Sequence, residues 1–361
     1  MKQEMMFDEI LAKLKLNKKL KEEGKVTSIL FPFNRLSKLF PGWTKSSYTI
    51  ITASSGIGKT KLAKFLSVTS VYDFVKNKPE IKSKIFYFAL EETVEYFWLG
   101  VISTMLYEKH GISISPNQLK SLGEFHLTDD VLAKVEECKE VVEDMQKYIE
   151  VVDYVFNPYG IYKVVADYFN NPEIGEEIFE TQTSEKVSKK YVYKDPNLWV
   201  FVITDHISLL TPEKGETLHE SMGRYSKHFC LKGFTKKFSC VTINIQQQEA
   251  AKEKAEYFQG QSIEEKLEPS LDGLANNKET QRDADLVLGL FAPERYGIKR
   301  HRGYDIGKLK NRYRSIKFLK DRHNGLINFY VGTYFNGASN YFEELPPALD
   351  MTEEDYEKFM K

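Results

Sequence analysis

Five short, β-rich apolar runs recur along the chain: YTIITA from Tyr48, KIFYFAL at 84–90, IEVVD at 149–153, LWVFVITD at 198–205 and CVTINI at 240–245. They are mostly continuous rather than alternating with polar residues, which is the pattern of strands covered on both faces. Each gap between them is long enough for a crossover helix. The expected fold class is therefore α/β, with a mostly parallel central sheet flanked by helices. DLVLGLF at 285–291, SIKFLK at 315–320 and LINFYVG at 326–332 extend the sheet, and the last two flank Asn324-Gly325 as a C-terminal β-hairpin with a tight turn. The polar, weakly patterned stretches 178–197 and 248–283 read as loop-rich excursions.

The 361 residues are 42% hydrophobic and 13% aromatic, enough for one large domain with appendages. Phe7, Ile10, Leu11 and Leu14 recur at helical spacing, so residues 4–23 are expected as an amphipathic helix stopped by Gly24. It lies either on its own domain or on a neighbouring subunit. Pro346-Pro347 closes the core, and Thr352 with Asp355 predicts a capped, acidic terminal helix. The division expected is 1–27 as linker or assembly helix, 28–341 as the main domain and 342–361 as an acidic tail.

No run reaches membrane-spanning length and no signal peptide opens the chain, so a cytoplasmic protein is expected. Cys138, Cys230 and Cys240 are too scattered for a disulfide frame or a zinc site and read as buried thiols. The net charge of −1 hides an uneven distribution. Residues 121–180 hold fifteen acids against four Lys/Arg, whereas 292–325 hold eleven Lys/Arg against three acids. One end of the fold is expected to be electropositive.

The segment YTIITASSGIGKTKLAKFL is a strand, a small-residue loop and a helix opening at a lysine, which is the layout of a phosphate-binding loop. Gly56 and Gly58 let consecutive N–H groups turn toward phosphate oxygens. The ATP-binding set is Ser54, Ser55, Gly56, Ile57, Gly58, Lys59, Thr60 and Lys61. Lys59 is expected at the β- and γ-phosphates, and the Thr60 hydroxyl on Mg²⁺. Ala53 stands where the usual pattern has its first glycine. Asp205, at the end of a buried strand, is the second expected Mg²⁺ ligand. Glu91 ends KIFYFAL and is expected to activate the attacking water from the strand next to the phosphate-loop strand. Glu92 reads as a helix-cap acid. Gln246, just beyond a strand, suits a sensor linking the γ-phosphate to a loop.

In this order the pieces resemble the DnaB-type hexameric helicases, which have a RecA-like P-loop NTPase core. The likeness runs in register from about 28 to 335. It includes the Ala-x-x-x-x-Gly-Lys-Thr loop at 53–60, Phe88-Ala89-Leu90-Glu91, Asp205, Gln246, Asp283-Ala284-Asp285-Leu286 and Lys320-Asp321-Arg322-His323-Asn324-Gly325. The resemblance implies that Lys320 and Arg322 are presented to a neighbouring subunit's ATP, with Arg322 as the arginine finger. It implies a homo-oligomeric ring, most simply a hexamer, that hydrolyses ATP with Mg²⁺ and moves on single-stranded DNA to unwind duplex during replication. The helix at 4–23 then corresponds to the linker that docks on the adjacent subunit. The family's large N-terminal domain, which recruits primase and loader, has no counterpart ahead of that helix, a compact form of the kind phages carry.

Two departures stand out. The family's Arg-Glu-Ser-Gly stretch is replaced by Ala275-Asn276-Asn277-Lys278, and His323 separates the finger arginine from Asn-Gly. The DNA-facing loops implied are roughly 211–218 and 248–280, carrying Lys214, Lys252, Lys254, Lys266 and Lys278. The basic stretch at 295–314 serves DNA or the subunit interface. A RecA/RadA-like recombination ATPase and a non-helicase RecA-like regulatory ATPase share the core and stand as the alternatives.

Overall fold

The apolar runs become nine strands of one sheet in the computed structural model, which describes residues 2–183, 186–249, 257–258, 261–262 and 264–360. The strands are β1 (Ser47–Ala53), β2 (Lys82–Ala89), β3 (Ile149–Val152), β4 (Leu198–Asp205), β5 (Val241–Gln247), β6 (Leu286–Phe291), β7 (Tyr313–Asp321), β8 (Tyr330–Asn336) and β9 (Tyr341–Glu344). Their spatial order is β9-β8-β7-β6-β1-β5-β4-β2-β3. The six strands from β6 to β3 are parallel; β7, β8 and β9 add antiparallel at the β6 side. β4 and β6 are buried at every position, as continuous apolar runs require.

Strand alternation sorts side chains onto two cores. Ile51, Ala53, Tyr87, Ala89, Phe201, Ile203, Ile243 and Ile245 face one side, under helix α2 (Lys59–Lys64, continuing to Lys76) and helix α3 (Val94–His110). Tyr48, Ile50, Phe86, Phe88, Val200 and Val202 face the other, under α4 (Pro158–Phe169) and α5 (Leu218–Arg224, continuing in wider turns through Tyr225–Lys237). The site described below sits on the α2 face, at the end of the sheet where the parallel strands finish.

Several expectations change. The sequence 178–197 is not loop: Gly175–Thr183 and Lys186–Tyr193 pair as an antiparallel hairpin. Its strands are rich in Glu and Lys, which hides the strand pattern, and aromatic packing anchors it. Tyr191 and Tyr193 pack against Phe169, and Tyr191 also meets Phe238. The β7–β8 hairpin exists, yet the connection spans 322–329 rather than a tight two-residue turn; Asp321 Oδ1 accepts the N–H groups of His323 and Asn324 at 3.2 and 3.0 Å and carries the chain past the turn. β2 is not beside β1, because β5 and β4 lie between them.

The N-terminal helix, α1, spans Lys2–Glu22, with Phe7 62% and Leu14 60% exposed. At the other end, Thr352 and Asp355 cap each other's backbone N–H at 2.9 and 3.1 Å. Helix α6 (Glu353–Met360) then buries Tyr356 and Phe359 among Tyr304, Tyr313 and Tyr334. The last strand, β9, crosses the expected 341/342 boundary. All three cysteines are buried free thiols. No helix among the described residues is long and apolar enough to cross a membrane.

Candidate nucleotide site

β1 delivers the chain to the end of the sheet, and the loop that follows turns it back into α2. The turn needs positive φ at Gly56 (74°) and Gly58 (109°), which side chains resist. A Cβ on Gly58 would also stand only 3.0 Å from the Phe335 ring. Ala53 has no positive φ and is fully buried at the strand end, so alanine is tolerated in the first place of the motif. α2 begins at Lys59, and its first helical bond runs from Leu62 N–H to Gly58 O. The N–H groups ahead of it are therefore left for a ligand.

Asp205 stands across from this loop. Its Oδ1 accepts the Thr60 hydroxyl at 3.1 Å and its Oδ2 accepts the Tyr87 hydroxyl at 2.7 Å. Burial pushes the Asp205 carboxyl up to about 6, against the Tyr87 hydrogen bond that favours its charge. A hydroxyl and a carboxylate side by side are hard oxygen donors suited to Mg²⁺, which commonly takes one or two protein oxygens and completes its shell with phosphate and water. Among the described residues no cluster of three or more His, Cys, Asp or Glu could hold a metal by itself. Thr60 and Asp205 thus fit a cation that arrives with a nucleotide.

Glu91 follows β2 in a loop tied to β4 by the Leu90 N–H to Asp205 O bond at 2.7 Å. Although β2 is distant from β1 in the sheet, this bond brings Glu91 to the same cavity. Its carboxylate is 54% exposed and 3.7 Å from His206 Nε2. Burial, then the charge of Lys59, hold His206 down at about 4, so the imidazole is neutral near pH 7. Glu92 is not a cap: it pairs with the buried Lys64, while Thr93 and Asp153 cap α3.

The remaining wall comes from the antiparallel strands. A cavity of about 470 Å³ is lined by the phosphate loop, Glu91, Glu92 and Tyr96 on one side and by Asn311, Arg314, Phe335, Gly337 and Asn340 on the other. Lys61 reaches the Gly337 carbonyl, and burial lowers its pKa. Arg314 is 3% exposed, donates to Ile57 O at 2.8 Å and lies 4.5 Å over the Phe335 ring. Arg295 donates to Ser55 O. A hollow of similar size elsewhere, near Arg35, Tyr304 and Tyr330, includes no phosphate-loop residue.

Much of the basic stretch is thus spent inside the fold. Besides these two arginines, Arg302 and Lys317 pair with Glu268, and Lys308 with Glu353.

The fold brings Lys59, Thr60, Lys61, Glu91 and Asp205 together. Gln246 does not join them. It is fully buried on the opposite face of the sheet, donating to Ala275 O and Asn277 O at 2.8 Å each and accepting from Thr280 at 2.7 Å. The next residue, Gln247, pairs in register with Ala53 and shares the site's face. Lys320 and Arg322 also lie apart. Lys320 Nζ donates to Gln281 O at 2.6 Å, and Arg322 donates to Asp285 Oδ1 at 2.7 Å and Arg282 O at 2.8 Å. Asp285 N–H in turn bonds Tyr48 O, so Arg322 stands level with the start of β1. Of the expected DNA-facing lysines, Lys252 and Lys254 fall outside the described residues; Lys278 pairs with Glu249.

A phosphate loop on a central parallel strand, an acid at the end of β4 and an antiparallel extension beyond β6 define a RecA-like P-loop ATPase core. No known protein-family profile matches the chain, and no curated protein does. Solved structures do. A helicase ATPase domain superposes with a TM-score of 0.68 at 17% identity, over 94% of this chain and 98% of that one. A DnaB-like replicative helicase, described with its interactions with primase, superposes with a TM-score of 0.66 at 16% identity, over 91% of this chain and 66% of that one. The chain therefore has the fold of the DnaB-type helicase ATPase core.

Proposed function

We propose that this protein is an ATP-driven DNA helicase of the DnaB type, working as a ring in which each nucleotide site is shared by two protomers. One observation carries the reading: the chain holds both halves of such a site, at opposite ends of its sheet. The phosphate loop follows Ala53, whereas Arg322 is level with Tyr48. About five residues of strand at about 3.3 Å each separate them by roughly 16 Å. Arg322 cannot serve its own phosphate loop and is placed to serve a neighbour's.

On this reading Lys59 and the loop N–H groups bind the β- and γ-phosphates, and Thr60 and Asp205 hold Mg²⁺, which supplies charge neutralisation at the phosphates. Glu91, exposed and beside a neutral imidazole, accepts the attacking water's proton. Lys320 and Arg322 of the adjacent protomer stabilise the transition-state charge. Movement on single-stranded DNA is transmitted through the segment after β5, which Gln246 clamps at Ala275 and Asn277. The ring is most simply a hexamer, and primase or a loader are its expected partners.

The test is subunit mixing. Lys59→Ala and Arg322→Ala are each expected to lose hydrolysis. Mixed before assembly, they form some interfaces with an intact loop and an intact finger, and activity returns. No recovery from co-assembled variants defeats the shared site. Absence of both single-stranded DNA stimulation and fork unwinding in the assembled parent protein defeats the helicase reading and favours a regulatory ATPase.

A further inference from the structure

Arg314 is a buried cation whose protein contacts are all with neutral groups. Its Nε donates to Ile57 O, its two Nη1 protons to Asn311 O and Tyr313 O, and one Nη2 proton to Asn311 Oδ1, at 2.8 to 3.0 Å. Glu294 acts on it only through space. A guanidinium has five N–H groups, so one Nη2 proton is left without a protein partner, on a residue that lines the nucleotide cavity. Four cations (Lys59, Lys61, Lys64, Arg314) and two acids (Glu91, Glu92) border that cavity. A buried charge without a counter-ion is costly, and an anionic ligand relieves it.

The bond to Ile57 has a second consequence. Across a trans peptide the C=O and the following N–H point in opposite directions, and among the described residues the cis bond is Asp205–His206, not one in the loop. Holding the Ile57 carbonyl outward therefore turns the Gly58 N–H inward. Arg295 does the same one step earlier: it holds Ser55 O and so turns the Gly56 N–H. The two arginines grip alternate peptides of the loop from behind, and they come from the antiparallel side of the molecule, which the phosphate-loop motif does not include.

We propose that Arg314, assisted by Arg295, is a positioning residue of the nucleotide site: it pre-sets the phosphate loop through the Ile57 carbonyl and offers a charge that phosphate neutralises. It acts in cis, unlike Arg322. The inference rests on the nucleotide-binding reading above.

The test uses the full chain, a fluorescent ADP analogue with Mg²⁺, and steady-state ATP hydrolysis. Arg314→Gln removes the charge and the fork. It is expected to raise the Kd of the analogue and the KM for ATP by about tenfold or more, the scale of a lost charge-assisted hydrogen bond, while kcat changes less than about threefold. Arg314→Lys keeps the charge but not the fork and should fall between; Arg295→Ala, at a more exposed contact, should raise Kd by about threefold. Binding within about twofold of the parent by a folded Arg314→Gln overturns the proposal, as does a fall in kcat with Kd and KM unmoved. Should that variant not fold, Arg314→Lys and Arg295→Ala decide, and parental binding by both overturns it. The two readings separate in the same experiment. A parent that does not bind the analogue removes the nucleotide reading itself, whereas a parent that binds, a Lys59→Ala that does not and an unaffected Arg314→Gln remove only this inference.

Discussion

Glu91 and Gln246 show how differently two polar residues at strand ends can be used. Glu91 is exposed to the cavity and makes few contacts, so its carboxylate is free to act on a ligand rather than to hold the fold. Replacing it by glutamine keeps the shape and removes the base: hydrolysis should fall by about 100-fold or more, with the Kd for nucleotide almost unchanged. Loss of binding in parallel with turnover would show that Glu91 holds the site instead. Gln246 is the reverse. Its amide satisfies two buried carbonyls and a buried hydroxyl, so Gln246→Ala is expected to cost about 2–4 kcal/mol in denaturant unfolding. A neutral result would mean that water replaces the amide.

At the scale of elements, the segment after β5 is fastened to the antiparallel strands by one carboxylate. Glu268, 2% exposed, accepts from His301 Nε2 at 2.9 Å, Lys317 Nζ at 2.8 Å, Arg302 Nη2 at 2.9 Å and the Tyr330 hydroxyl at 3.0 Å. Burial works to raise its pKa, yet the bonds from His301, Lys317 and Arg302 outweigh it and hold the carboxyl at about 2. A pKa below the ordinary 4.5 means that the unfolded chain takes up this proton first. The associated stability is present above pH 4.5 and is lost as pH falls toward 2. Thermal melts across that window should decline less steeply for Glu268→Gln than for the parent, though from a lower plateau. Parallel declines would place the acid sensitivity elsewhere. The C-terminal helix is a second fastening, through Tyr356 and Phe359. Phe359→Ala should lower stability by about 3 kcal/mol, read as an earlier melt of the whole domain if α6 belongs to its cooperative unit.

For the whole molecule, the separation of the two half-sites makes activity a property of the assembly. Hydrolysis per protomer is expected to rise steeply with protein concentration in the range where rings form, and to be negligible below it. The N-terminal helix bears on the same question, since Phe7, Ile10 and Leu14 are exposed along it and an apolar stripe of that kind gains by burial against another surface. Removing residues 1–22 should shift sedimentation toward monomers and reduce hydrolysis at a fixed concentration. Unchanged assembly would leave the helix with no part in the ring.

What the sequence determined by itself was local in the chain or carried by unbroken hydrophobic pattern. Strand, loop and helix are consecutive around Lys59, so the phosphate loop could be read directly, and the runs before Asp205 and Glu91 announced strands that end at the site. The tertiary structure decided what depends on phase and on distant pairing. A one-residue step along β5 exchanges the two faces of the sheet, which puts Gln246 on the far side and Gln247 on the near side, although both belong to the same run of glutamines. Arg314, Asn311 and Phe335 reach the phosphate loop only because β7 and β8 join the sheet beyond β6. Nothing in the spacing of 311–335 foretells that meeting, because the bond from Arg314 to Ile57 joins positions 257 residues apart in the chain.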